Sequence, residues 1–123
     1  MKAIKEILAA EGTSVEEMEV NEPYSYDGGD AYNDLVIEKV RENVLSVEQF
    51  YKKRIERLSD PEVRFDVSDP ENWKPIEYKQ AHPPVQTRDV TGLDLSDFIQ
   101  KWDKNLQSQF PADKVVQGGE NQE

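Results

Sequence analysis

The stretch DLVIEKVRENVLSVEQFYKKRIERL, residues 34–58, decides how the fold is read. Val36, Val40, Val44, Val47, Tyr51, Ile55 and Leu58 recur at intervals of three or four, the spacing of an apolar helix stripe. With Asp30 as its N-cap, that spacing predicts one long helix over about 31–58. Ser46 followed three residues later by Gln49 is a second capping box, so the alternative is two helices meeting near Asn43.

On the N-terminal side, KAIKEILAAEG sets Ile4, Ile7 and Leu8 on one helical face and stops at Gly12. Ser14 and Glu17 have capping-box spacing and suit a short helical turn. NEPYSYDGGD is a loop by its Asn, Pro and Gly–Gly content.

On the C-terminal side, VRFDV (63–67) and, more weakly, PIEYKQ (75–80) alternate in the strand manner, and SDPENW between them suits a hairpin connection. AHPPVQTRDV is extended by its two prolines. Leu95, Phe98, Ile99, Trp102 and Leu106 then form a helical stripe. The expected fold class is α+β, a helix-dominated small domain. It has a long helix about 31–58, a short hairpin about 63–80 and a C-terminal helix about 92–109. Residues 1–110 form the domain, and 111–123 a flexible acidic and polar tail.

Composition narrows the chemistry. In 123 residues there is no cysteine, which excludes disulfides, thiolate nucleophiles and Cys-type zinc or iron–sulfur sites. The opening MKAIKEILAAEG lacks the continuous apolar run of a signal peptide, and no later run reaches membrane-spanning length. A cytoplasmic protein is expected, or one within a virion if it belongs to a viral particle. Net charge is −11, which opposes direct binding to nucleic acid or to anionic membranes. Adaptation to high salt is a further reading of that acidity.

The charge is segregated. From Glu6 to Glu38 there are ten carboxylates and no lysine or arginine, whereas Lys52, Lys53, Arg54 and Arg57 cluster further on. A solvated helix face with basic residues near its C-terminus accounts for this, as do two separate contact surfaces for a partner.

Catalysis finds little footing. His82, the single histidine, stands beside two prolines with no flanking carboxylate, and no nucleophile motif accompanies it. Gly28–Gly29 and Gly118–Gly119 lack the context of a phosphate loop. Asp27, Asp30 and Asp34 have the residue type for a hard cation but not the calcium-loop spacing. Neither an enzyme nor a metal or cofactor site is expected.

Tyr24, Tyr26 and Tyr32 thread those aspartates, and tyrosine among small and acidic residues suits a contact surface. Tyr24, Tyr26, Asp27, Asp30, Tyr32, Asp34, Trp73 and Tyr78 are therefore the candidate partner contacts. The expected function is a non-enzymatic protein-interaction module, a small structural or assembly subunit of a larger complex such as a viral particle. Its partner is another protein or a second copy of itself. Two alternatives are an acidic nucleic-acid mimic that inhibits a basic-grooved protein, and a non-catalytic accessory subunit of an enzyme complex.

Overall fold

A computed structural model describes residues 1–53, 56–81 and 83–112, the side chains of 52, 53, 56 and 57 excepted. Residues 34–53 are extended, not helical. Strands Asp34–Arg41 (β2) and Val44–Lys53 (β3) are antiparallel, joined by a turn at Glu42 and Asn43. Asn43 has φ 63°, a left-handed conformation that asparagine tolerates better than most residues. The expected helix over 31–58 is thus corrected to a hairpin, and Asp30 caps nothing.

The reason lies in which residues share a face. Leu35, Ile37, Leu45 and Val47 lie in the core, paired as Ile37 with Val47, with Leu35 opposite Gln49 and Leu45 opposite Lys39. Two polar residues thus interrupt the inward set. Val36 and Val44, meanwhile, are buried outside the main core cluster. Apolar residues at both parities blur the period of two and mimic a helix stripe. Ser46 and Gln49, separated by three positions along β3, occupy opposite faces and form no capping box.

Around this hairpin the chain adds Tyr24–Tyr26 (β1), Glu56–Asp66 (β4), Lys74–Gln80 (β5) and Val85–Arg88 (β6). The sheet order is β1-β2-β3-β4-β5-β6, each pair antiparallel. β4 and β5 pair within the span 63–80 read as a hairpin, but as the interior of a six-stranded meander. The helix-dominated class is therefore overturned: the described chain is mostly sheet, with two short helices.

Those helices are Lys2–Ala10 (α1) and Ser96–Gln109 (α2). Ala3, Ile4, Ile7 and Leu8 of α1 join Trp102 and Leu106 of α2 over Leu35, Ile37, Leu45, Val47, Val63 and Phe65 of the sheet. Each large aliphatic side chain buried there contributes about 1.5–3 kcal/mol. The two helices are also tied through polar atoms. Asp103 of α2 accepts the amides of Lys2 (3.1 Å) and Ala3 (2.8 Å), so the first turn of α1 is capped from the other helix.

Lys39 is 5% exposed, and its ammonium donates to the carbonyls of Val15 (3.1 Å) and, more weakly, Met18 (3.5 Å). Its own carbonyl accepts from the amide of Asn21 at 2.8 Å. One residue of β2 thus fixes the segment that leads from α1 towards β1. His82, Arg54 and the tail beyond residue 112 lie outside the described residues.

Candidate interaction site

In a meander, successive connections alternate between the two ends of the sheet. The β1–β2 loop and the β4–β5 loop therefore lie at opposite ends. The first of these holds most of the acidic and tyrosine candidates.

The β1–β2 loop is closed by its own polar groups. Asp34 accepts the amide of Gly28 at 2.9 Å, Asp27 accepts that of Gly29 at 2.6 Å, and the Tyr32 amide donates to the Gly28 carbonyl at 3.2 Å. Glycine is required at 28, where a Cβ would sit 2.3 Å from the Tyr32 carbonyl oxygen and 2.6 Å from that of Asn33. Gly29 has φ 66°.

The loop is also anchored from beneath. The Gln49 amide donates to the carbonyl of Asn33 (3.3 Å) and to Gln109 Oε1 (3.0 Å), and its oxygen accepts from the Trp102 indole (2.8 Å). Gln49 is 6% exposed and uses its full donor capacity.

What remains is Asp30 and Tyr32. Both are exposed, and neither side chain makes a hydrogen bond among the described residues. With Asp27, Gly29, Asn33 and Asp34 they border a concavity of about 400 Å³ whose other wall is Phe50 and Tyr51 of β3. With the carboxylates of Asp27, Asp30 and Asp34 among them, these walls suit a cationic or hydrogen-bonding group better than an apolar one. Among the described residues no group of three or more histidine or carboxylate side chains is placed to hold a metal ion.

The other candidates are placed elsewhere. Tyr26 is buried in the core, its hydroxyl donating to Glu11 at 3.0 Å. Burial, then the bond to Glu11, pushes its pKa well above the usual tyrosine range. Tyr24 is half-buried against the same core. Tyr78 meets Phe98 edge-on at 5.5 Å and donates to Gln80, and burial raises its pKa, with Asp60 adding to the effect. Trp73 is half-buried at the opposite end, tilted against Phe65 at 5.8 Å. The structure thus brings together Asp27, Asp30, Tyr32 and Asp34, and separates them from Trp73 and Tyr78.

Sequence reasoning passed over Gln49, Phe50 and Tyr51, which support the loop or wall its concavity. No local signal marks them, because the inward alternation of β3 breaks at Gln49. Lys52, Lys53 and Arg57 fall where β3 and β4 run on past β2: Asp34 is the last β2 partner, opposite Phe50, whereas Lys52 pairs with Arg57 beyond it.

The face of the sheet away from the helices is polar and cross-linked. Ser46 donates to Glu62 at 2.8 Å, Arg64 bridges to the same carboxylate at 3.0 Å, and Ser59 bonds to Glu48. Antiparallel sheets commonly leave one face solvated in this way.

These features define a two-layer, sheet-dominated domain: an antiparallel meander with helices on one face and a braced acidic loop at one end. A family model described as a domain of unknown function, DUF6908, matches residues 2–110, which span both helices and all six strands. The chain belongs to that family. No curated protein and no solved structure matches it. Among the described residues no helix is long and apolar enough to cross a membrane.

Proposed function

We propose that this domain is a non-enzymatic protein-interaction module that recognises another protein through its β1–β2 loop, as a small assembly subunit would. The observation that carries this is the division of labour within the loop. Asp27, Asp34 and Asn33 hold its shape, while Asp30 and the 46% exposed Tyr32 face solvent beside a ready-made concavity. A loop ordered before binding loses less entropy on association, and tyrosine offers large contact area with few rotors.

The nucleic-acid-mimic reading draws less support. The carboxylates between Glu6 and Glu38 lie on α1, on the linker, in the β1–β2 loop and on β2. Several are engaged in the fold: Glu11 with Tyr26, Glu17 with Ser14, and Asp27 and Asp34 with loop amides.

The test is affinity capture from the native host with the wild-type chain and with the double variant Asp30→Asn, Tyr32→Ala. A partner held by the wild type and lost by a variant of unchanged circular dichroism supports the reading. Equal capture by both refutes it. Light scattering after size exclusion at low and high salt shows whether the partner is a second copy.

A further inference from the structure

At the other end of the sheet is a smaller cavity of about 220 Å³, between α1, the turn that follows it and the β4–β5 loop. Its floor is apolar. Leu8 and Val15 are buried, and Pro70 and the half-buried Trp73 form a wall. Lys5 reinforces that wall: its ammonium donates to the Pro70 carbonyl at 2.5 Å and lies 5.3 Å from the centre of the Trp73 ring. Lys5 therefore braces the cavity wall.

Two acidic residues line the same cavity, Glu16 on the turn and Glu71 on the loop. Both residues are exposed, and neither side chain has a partner among the described residues. Size decides between classes of occupant. Small-molecule and cofactor sites run to roughly 300–1,000 Å³, so a nucleotide-sized ligand exceeds this one. An apolar cavity of about 150 Å³ accepts a benzene ring. A single aromatic side chain fits, and the two carboxylates add a demand for positive charge beside it.

We propose that this cavity receives one aromatic side chain of a partner protein, presented next to a lysine or arginine that pairs with Glu16 and Glu71. The inference rests on the interaction reading but concerns a second site. Its failure would leave the Tyr32 loop at the opposite end untouched, because the two are read by different variants and different signals.

The experiment is an NMR titration of the full chain, following the indole N–H signals of Trp73 and Trp102. The probe is N-acetyl-Phe-Arg-amide, with N-acetyl-Phe-Glu-amide and N-acetyl-Ala-Arg-amide as controls. The Trp73 signal should move saturably with the first peptide, roughly ten-fold more weakly with the second, and not with the third. The Trp102 signal, held by Gln49 inside the core, should stay in place. Ala9→Leu, a change at an exposed position lining the cavity, should abolish the response without unfolding the chain. No movement at Trp73, or equal movement with all three peptides, overturns the proposal. Movement with protein concentration alone, in the absence of peptide, also overturns it, because a second copy would then be the occupant.

Discussion

The indole nitrogen of Trp102 in α2 donates a 2.8 Å hydrogen bond to the side-chain oxygen of Gln49 in β3, fifty-three positions earlier in the chain. That bond joins the helical layer to the sheet, and the other end of the same amide carries the β1–β2 loop through Asn33. Gln49→Ala leaves a buried indole N–H unpaired, at a cost of about 1–3 kcal/mol, and releases the loop. Urea unfolding should show that loss, and the Asn33 and Tyr32 amides should exchange faster. Unchanged stability would mean that the amide is dispensable.

Lys39 is the second buried polar group with a stated task. Lys39→Ala removes an ammonium that donates to the carbonyls of Val15 and Met18. Hydrogen bonds to charged groups contribute about 1.5–3 kcal/mol, and the stem's packing is lost with them. Limited proteolysis should open a new cut between residues 14 and 21, and urea unfolding should shift by that amount.

Gly28 and Gly12 make a controlled pair. Gly28→Ala drives a Cβ into two backbone carbonyls and should cost about 1–3 kcal/mol, with shifted NMR signals across the β1–β2 loop. Gly12 has open space around it but φ 81°, so Gly12→Ala should cost only about 1–2 kcal/mol and leave that loop unmoved. An unmoved β1–β2 loop in Gly28→Ala would contradict the close approach at Gly28.

Tyr26 gives the pH dependence. Its folded pKa is raised by burial and by the bond to Glu11, so folding favours the neutral hydroxyl. That contribution is complete below the unfolded pKa of about 10 and declines as pH rises above it, by at most about 1.4 kcal/mol per pH unit. Stability measured between about pH 9 and 11 should therefore fall more steeply in the wild type than in Tyr26→Phe. Parallel curves would show that Tyr26 titrates freely in the folded chain.

At the acid end the sign reverses. Asp66 is held below the usual carboxylate range chiefly by the hydroxyl of Ser68 and then by its amide, and Asp89 likewise by Thr91. Each contributes stability above the unfolded aspartate pKa of about 3.9, lost as pH falls through the folded value. Asp66 is the half-buried last residue of β4 and Asp89 is exposed just past β6, and each carboxylate is held by local bonds at a strand end, so Ser68→Ala and Thr91→Ala should flatten the acid limb of the stability curve only slightly.

Much of the candidate site was legible only as a loop. Asp27, Gly28, Gly29 and Asp34 announce a turn by type, and the turn is there; the task assigned to Asp30 followed from the helix and fell with it. Tyr26 and Tyr32 are alike in local sequence. One is a core residue bonded to Glu11 and the other is exposed, because Tyr26 lies on β1 against the core whereas Tyr32 lies in the loop beyond it.

The sequence by itself determined the elements whose signals are local and single-faced. α1 has its stripe of Ile4, Ile7 and Leu8 and its stop at Gly12, where φ is 81°, and α2 has the stripe ending in Trp102 and Leu106. Only the tertiary structure decided residues 34–53. Their valines satisfy a period of three or four as readily as a period of two, and Lys39 and Gln49 break the inward alternation. The choice is made by distant partners: β1 and β4 pair with the hairpin, Val15 and Met18 receive Lys39, and Trp102 and Gln109 satisfy Gln49. A buried lysine or glutamine is stable only where such partners stand, and the periodicity of twenty residues carries no record of them.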